Sequence, residues 1–289
     1  MVVNSIKMII KETYSIKGNS NVNEDRIGCF KNYIWLMDGV TCLSDSKTGE
    51  LSDSKWFVDK FSEVLVQNLD DSKGLKEILK ETVIKTYEAY RTATNYQVIE
   101  KNQYPSSSLI IIRQKGSQLE YYLLGDSTLI IKNGQEAIHL TQDTLGEFEK
   151  VILQKINHTR ISQNISFEEA RKAHALEILA KRSHRNEEGG YYILSFEQNA
   201  LDYGKQGELE ILQPLHFLIM SDGFSRYLDL FNRVENSFEF IENVLERGLS
   251  TIGKELYEIE EYDHECTRYL RFKKRDDTTC IYGTIEARM

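Results

Sequence analysis

Residues 108–140 read SLIIIRQKGSQLEYYLLGDSTLIIKNGQEAIHL, and this stretch decides the fold class of the chain. It contains the apolar runs SLIIIRQ, QLEYYLLG, TLIIKN and EAIHL, each as short as a typical β-strand. Lys115-Gly116 and Asn133-Gly134 separate neighbouring runs, and glycine dipeptides of this kind are typical of tight hairpin turns. Because a hairpin joins antiparallel neighbours, the stretch predicts an antiparallel sheet.

Strand-like and helix-like segments alternate in blocks on both sides of this stretch. Helical spacing is found over residues 53–100, where Gly74 divides two helices, and in the charged segment 144–186. Three more helices are predicted at 224–232, 236–248 and 250–262. Grouped helices, rather than single crossover helices, favour an α+β class over a doubly wound fold. The further predicted strands are Ile6–Ser15, Arg26–Phe30, Tyr33–Met37, Tyr191–Ser195, Glu208–Leu212, His216–Met220 and Thr279–Ile285.

The composition excludes several classes of function. The 289 residues include 36 Lys and Arg against 45 Asp and Glu, a formal net charge of −9, so binding to nucleic acid or to an anionic membrane surface is not expected. With only 2 Pro, no proline-rich linker divides the chain, and a single domain over 1–289 is predicted. The 4 cysteines are scattered without a C-x-x-C pair, which indicates reduced thiols and a cytoplasmic protein.

Acidic residues recur where apolar runs end. YIWLMDG ends at Asp38 and Gly39, YYLLGD at Asp126, and HFLIMSDG at Asp222. Two more acidic motifs lie just before predicted strands, and these are NED at 23–25 and DDTT at 276–279. Each motif places a carboxylate at the edge of a sheet, where several can converge on one point.

Two interpretations of these acids remain open for each motif taken alone. Asp-Gly after a strand is a common turn signal, so any single motif favours a turn. Taken together, converging carboxylates would repel one another, and Lys and Arg are sparse nearby, with Arg26, Lys274 and Arg275 as candidates. Oxygen-only ligands suit Mg²⁺ or Mn²⁺, and two such ions can activate a water for attack on a phosphoryl group.

In this order and spacing, the five motifs resemble those of the metal-dependent type 2C serine/threonine protein phosphatases over nearly the whole chain. The resemblance implies two antiparallel β-sheets packed as a sandwich and flanked by helices on both faces. It also implies a variable flap near the substrate groove, within residues 144–205.

The resemblance implies a role for each acidic residue. Asp38 would bridge two metals and the Gly39 carbonyl would bind the second, while Asp222 and Asp276 would complete the first. The remaining acids lie further out: Glu24 and Asp25 would hold metal-bound waters, and Asp126 would belong to a third, weaker site. The implied cofactors are two Mn²⁺ or Mg²⁺ ions, with a third ion at that weaker site.

Three positions depart from the family pattern. The first DG is followed by Val40-Thr41-Cys42 instead of His or Met and two glycines, so the general-acid histidine is missing. The phosphate-binding arginine is replaced by Ser20, for which Lys17 is the candidate substitute as a point charge. The last motif has Asp277 where asparagine is usual.

Three functions follow from these observations. The leading hypothesis is a monomeric enzyme that dephosphorylates phosphoserine and phosphothreonine in a protein substrate, using a metal-bridging hydroxide held by Asp38. The departures at Ser20 and 40–42 motivate a second hypothesis, a catalytically weak or inert signalling or binding module. A phosphatase for a small metabolite is the third, since specificity would lie in the flap.

Overall fold

The computed structural model of the chain describes residues 6–42, 45–144 and 146–287. Within them, no helix is both long and apolar enough to cross a membrane. The strands are β1 Ile6–Ile16, β2 Asp25–Phe30, β3 Tyr33–Gly39, β4 Ser107–Lys115, β5 Gln118–Asn133, β6 Glu136–Gln142, β7 Lys205–Glu210, β8 Leu215–Met220 and β9 Thr278–Ala287. The α-helices are α1 Asp53–Asn68, α2 Leu75–Ala93, α3 Gly146–Gln163, α4 Phe167–Ala173, α5 Ala175–Arg182, α6 Asp222–Asp229, α7 Ser237–Arg247 and α8 Leu249–Tyr262.

The strands form a large antiparallel arrangement in the order β1-β9-β8-β5-β4-β3-β2, with β6 and β7 also paired to β5. Its centre is β5. The first part of β5, residues 118–124, pairs with β4 and β7, and residues 128–133 pair with β8 and β6. The predicted α+β class with antiparallel strands is therefore confirmed.

The predicted break within 118–133 is wrong, because β5 is one continuous strand of 16 residues. Gly125 has a positive φ of 95°, and a Cβ there would lie 2.7 Å from the Cβ of Ser108. The register against β6 also shifts between Gly125 and Leu129. Glycine therefore allows the strand to kink without ending, and Asp126 lies in the middle of a strand rather than at a strand end on a hairpin.

Alternating side chains of the strands enter separate apolar clusters, as the pleat of a strand requires. Trp35 and Met37 of β3 pack with α1 and α2, whereas Ile34 and Leu36 enter a second cluster with side chains of β5, β8 and β9. A third cluster joins β5, β8 and β9 to α6, α7 and α8. Each large apolar side chain buried in this way contributes about 1.5–3 kcal/mol.

The helical predictions agree with the structure. Gly74, the predicted break, is the residue immediately before α2. Ser52 precedes α1 and its hydroxyl accepts a hydrogen bond from the Lys55 amide, which satisfies one of the unpaired N–H groups at the start of that helix. The three predicted C-terminal helices correspond to α6, α7 and α8.

Residues 191–195 do not form the predicted strand. Their backbone pairs with the sheet only at Leu194, which exchanges hydrogen bonds of 2.9 and 3.0 Å with Ser107. Ser107 lies just beyond the part of β4 that pairs with β5, because β5 kinks away at Gly125. Only Ser107 and Ser108 of β4 lack a partner on β5, which is too short an edge for a strand, and an isolated bridge forms instead.

Candidate metal centre

Residues from the acidic motifs line one cavity of about 330 Å³. Its described lining includes Asp38 and Gly39 from the end of β3, and Asp126 from the kink of β5. It also includes Asp222 from the start of α6 and Asp276, which lies two residues before β9. The predicted convergence of these five residues is therefore what the fold produces.

Close backbone contacts hold Asp222 beside the residues before β9. A Cβ on Gly223 would lie 2.2 Å from the Asp277 carbonyl oxygen, so only glycine allows this approach. The Ser221 hydroxyl accepts a hydrogen bond of 2.9 Å from the Thr279 amide. On the other side, the Asp222 amide donates to Asp38 Oδ2 at 3.4 Å. The SDG motif thus acts as a junction between β3, α6 and β9.

Asp25 and Glu24 lie beside the cavity lining rather than in it. Asp25 is paired with Asp38 across β2 and β3, it is buried, and neither of its carboxylate oxygens has a hydrogen-bond partner within the described part of the chain. The buried Glu24 carboxylate is satisfied, because the hydroxyls of Thr41 and Ser52 both donate to it.

Burial and mutual repulsion disfavour ionisation of most of these carboxylates. The pKa of Asp25 is raised to about 8, mainly by burial and further by the charges of Asp277 and Asp222. Burial, followed by the charge of Asp25, raises the pKa of Asp38 well above its usual range. Burial, followed by the charge of Asp222, does the same for Asp126. Among the described residues, no Lys or Arg forms an ion pair with Asp25, Asp38 or Asp126, so the repulsion between these acids is not balanced by a cation in contact with them.

Arg226 was missed by the sequence predictions and lies against the opposite part of the cavity. Its guanidinium donates to Asp276 Oδ2 at 2.9 Å and to Glu260 Oε1 at 3.1 Å, and it lies 3.5 Å from Asp222 Oδ2. The side chain is only 10% exposed. Arg226 is one helical turn after Asp222, so i, i+4 spacing in α6 was the signal for this contact.

Lys273 is the second cation that sequence reasoning missed. Its ammonium donates to Asp276 Oδ1 at 2.7 Å and to the Thr41 hydroxyl at 3.3 Å. Burial acts to raise the pKa of Asp276, but the charges of Lys273 and Arg226 outweigh it and hold that pKa below its ordinary value. The three-residue spacing between Lys273 and Asp276 was the available signal.

The cations named from the sequence pair elsewhere. Arg26 lies 3.6 Å from Asp59, and Lys274 lies 2.9 Å from Glu261. Arg275 also pairs with Glu261. The cations that contact the motif carboxylates are therefore Arg226 and Lys273, and not the three candidates named from the sequence.

The segment 144–205, apart from Leu145, which lies outside the described residues, contributes one wall of the cavity. Glu149, Ile152 and Leu153 of α3 line it, together with Ile178 of α5. Burial, followed by the charge of Asp222, raises the pKa of Glu149 to about 7. Glu149 is a further acidic residue of the site that no motif indicated, since it lies in a generally charged helix.

The structure shows which groups Lys17 and Asp277 contact at the positions that depart from the family pattern. The Lys17 ammonium donates to the Ser20 carbonyl at 3.3 Å, and Lys17 is not among the described residues that line the cavity. The Asp277 carboxylate accepts hydrogen bonds from the amides of Gly18, at 2.7 Å, and Glu24, at 2.6 Å. Asp277 therefore ties the segment between β1 and β2 to the start of β9.

The donor set has the chemistry of a site for hard divalent cations. Five carboxylates line the described cavity, those of Asp38, Asp126, Glu149, Asp222 and Asp276, and only Arg226 and Lys273 contact them as cations. The carboxylates that line the described cavity therefore outnumber the cations that contact them. Oxygen donors and excess negative charge both fit Mn²⁺ or Mg²⁺, and the unpartnered Asp25 oxygens fit as well. As the described side chains stand, no three acidic, His or Cys groups are close enough together to hold an ion.

Comparisons with solved structures show proteins of similar fold. The structure is similar to the serine/threonine phosphatase PstP/Ppp of Mycobacterium tuberculosis, with 17% identity, a TM-score of 0.55, and coverage of 97% of this chain and 99% of that one. Stp1 of Staphylococcus aureus is 16% identical, with a TM-score of 0.54 and coverage of 96% of each chain. The catalytic domain of PstP in complex with 2 manganese ions is 15% identical, with a TM-score of 0.55 and coverage of 97% of this chain and 100% of that one.

No curated protein matches the chain. The model of the family described as Protein phosphatase 2C matches residues 14–258, which is most of the sequence. The chain therefore belongs to the protein phosphatase 2C family.

Proposed function

We propose that the chain is a Mn²⁺- or Mg²⁺-dependent phosphatase that removes phosphate from phosphoserine and phosphothreonine in proteins. The observation that carries this proposal is the convergence of Asp38, Asp126, Asp222 and Asp276 on one cavity with excess negative charge. When bound, divalent ions supply charge that neutralises phosphoryl oxygens and lowers the pKa of water. The family supports the substrate class.

The acidic residues in and around the cavity have two proposed roles, binding the ions and orienting water. Asp38, the Gly39 carbonyl, Asp222 and Asp276 would hold the ions, in the roles that the family pattern gives to these positions. The acids around them, Glu24, Asp25 and Asp126, orient water and keep the site negative enough to retain divalent charge. Each acid must be ionised to do so, which is why the raised pKa values of Asp25, Asp38 and Asp126 matter.

The proposal also includes the arrangement of the sheet, the position of the flap and the cellular compartment of the protein. The cluster that Ile34 and Leu36 share with β8 and β9 supports a two-layer sandwich joined through β5. Within one domain over 1–289, α3 to α5 would be the flap. The four free cysteines favour a reducing, cytoplasmic setting. We propose that the protein is a monomer.

One observation favours an inert phosphatase-fold module instead. Both carboxylate oxygens of Asp276 already accept hydrogen bonds from cations, Oδ1 from Lys273 and Oδ2 from Arg226. If these contacts outcompete a metal, the site would bind fewer ions and turn over slowly or not at all. A small-metabolite phosphatase is the third possibility, since a cavity of about 330 Å³ is large enough for a compact phosphomonoester.

Hydrolysis of an aryl phosphate and of a phosphothreonine peptide, each with Mn²⁺, Mg²⁺ or a chelator, tests the proposal. Metal-dependent turnover of the peptide supports it. Turnover of small phosphomonoesters but not of peptides favours the metabolite phosphatase. No turnover of either substrate, despite calorimetric binding of Mn²⁺, favours the inert module. Asp59→Asn is the matched control, because Asp59 pairs with Lys55 and Arg26 on α1 and β2 and does not line the described cavity.

A further inference from the structure

Lys273 brings an ammonium group into the acidic cavity from the segment that follows α8. It donates to Asp276 Oδ1 at 2.7 Å and to the Thr41 hydroxyl at 3.3 Å, and its side chain is 40% exposed. The Thr41 hydroxyl in turn donates to Glu24 Oε2 at 2.5 Å. The ammonium is therefore held at a defined place while remaining accessible from the cavity.

The other cations that line the described cavity are buried or already paired with carboxylates. Arg226 is 10% exposed and shared among Asp222, Asp276 and Glu260. Arg271 is 3% exposed, and its guanidinium is bound by the Asp263 carboxylate and by backbone carbonyls.

Arg171, on α4, is accessible but forms a two-point contact with Glu168, at 3.0 and 2.9 Å. Lys273 is the described cation that combines access to the cavity with direct contact to a motif carboxylate.

A phosphomonoester needs such a cation here. Its phosphoryl group carries up to about two negative charges at neutral pH, and five carboxylates line the described cavity. An ammonium is a compact point charge with three donors that rotate freely. It can keep its contact with Asp276 and still donate to a phosphoryl oxygen, which a buried guanidinium shared among three acids cannot do.

We infer that Lys273 binds the phosphoryl group of the substrate, and that Thr41 positions its ammonium for this contact. The inference rests on the proposed function, whose cavity it uses, and it names a residue that the family pattern does not supply. It also gives a role to Thr41, one of the positions that depart from that pattern. The bonds that Arg271 makes to Asp263 and to the Lys274 carbonyl hold the backbone that carries Lys273.

The test compares Lys273→Gln, Lys273→Arg and the control Lys274→Gln in the full chain. Lys274 is adjacent and pairs with Glu261 at 2.9 Å, away from the described cavity lining. The measurements are kcat and KM for an aryl phosphate, the inhibition constant of inorganic phosphate, and Mn²⁺ affinity by calorimetry. Loss of one charged hydrogen bond in Lys273→Gln should raise KM and the inhibition constant by about tenfold to a hundredfold.

The remaining expected results separate binding from structure. Lys273→Arg should keep most of the phosphate affinity because it keeps the charge, and Lys274→Gln should match the wild type. Mn²⁺ affinity in Lys273→Gln should be equal or tighter, since a competing cation has been removed. An unchanged inhibition constant for phosphate in Lys273→Gln overturns the inference, whether or not Mn²⁺ affinity changes.

Two further measurements keep this inference separate from the proposed function. If the wild type hydrolyses no phosphomonoester, inorganic phosphate binding to the Mn²⁺-loaded protein is measured by calorimetry. Binding that Lys273→Gln loses supports the inference although the proposed activity has failed, and equal binding by both proteins overturns it. A loss of phosphate affinity in Lys17→Gln or Arg171→Gln, but not in Lys273→Gln, would assign the role to one of those residues.

Discussion

The two sides of the acidic cavity have similar residues but opposite electrostatics. On the compensated side, Asp276 is bound by Arg226 and Lys273, and its pKa is below the ordinary range. On the uncompensated side, formed by Asp38 and Asp126 with Asp25 next to the lining, burial and neighbouring acids raise every pKa. Because burial raises the pKa on both sides, the difference comes from the two cations. Added divalent charge should therefore act mostly on the uncompensated side.

The largest expected effect comes from removing the centre of the uncompensated side. Asp38→Ala should abolish Mn²⁺ binding and hydrolysis together, since Asp38 is proposed to contact both ions. Asp126→Ala, on the same side, should keep Mn²⁺ binding and lower kcat by about tenfold, a cost of about 1.4 kcal/mol. Calorimetry and steady-state kinetics on both variants measure these effects. Equal loss of metal in both would show that the two roles have been assigned wrongly.

The compensated side should be the more important for stability. Arg226→Met removes the cation shared by Asp222, Asp276 and Glu260, and leaving buried charges without a partner costs about 3–5 kcal/mol. Arg91→Met is the matched control, because Arg91 is 45% exposed and lies 3.6 Å from the exposed Glu88. An exposed pair contributes less than about 1 kcal/mol.

Denaturant unfolding of both arginine variants, with chelator present, measures the change in the free energy of unfolding. Similar small losses in the two variants would mean that Arg226 does not stabilise the fold by compensating buried acids.

The two sides should also respond to pH with opposite signs. Folded Asp25 has a pKa of about 8, against an ordinary value of 3.8, so between these values the folded protein holds a proton that the unfolded chain has lost. The free energy of unfolding of the metal-free protein should therefore fall as pH rises from about 4 to about 8. The contribution of Asp276, whose pKa is lowered, is present above its ordinary value and is lost as pH falls.

Unfolding curves across that range, with chelator and with Mn²⁺, test the pH dependence. Asp25→Asn should flatten the slope in the metal-free protein, and Mn²⁺ should restore stability at the alkaline end, where the ligands are ionised. A slope that is the same in Asp25→Asn and the wild type would contradict the assignment to Asp25.

Local patterns in the sequence predicted most of the fold. Lys115-Gly116 and Asn133-Gly134 marked two hairpins correctly, because turn preferences are determined by the turn residues themselves. Gly125-Asp126 has the same local appearance but lies inside a strand, since the kink depends on Ser108 of the neighbouring strand. The strand predicted at residues 191–195 was wrong for a related reason. A strand requires a neighbouring strand to pair with, and the sequence of the segment does not determine whether one is available.

The acidic half of the site was predictable and its cationic half was not. Asp38, Asp222 and Asp276 lie at or next to the ends of apolar strands and Asp126 lies at the kink of β5, so the sheet topology brings them together. Arg226 and Lys273 had only the weak signals of helical and three-residue spacing. Lys274, adjacent to Lys273, pairs away from the cavity, and the direction of each side chain in an irregular segment follows from the fold around it.

The continuity of β5 has a consequence for how the protein unfolds. Its side chains belong to three apolar clusters, and its backbone pairs with four other strands. Neither portion of the sheet can separate from the other without breaking the ladder of that one strand. The amide protons of β5 should therefore exchange with solvent only through global unfolding, so that both portions lose their protection against exchange in a single cooperative step.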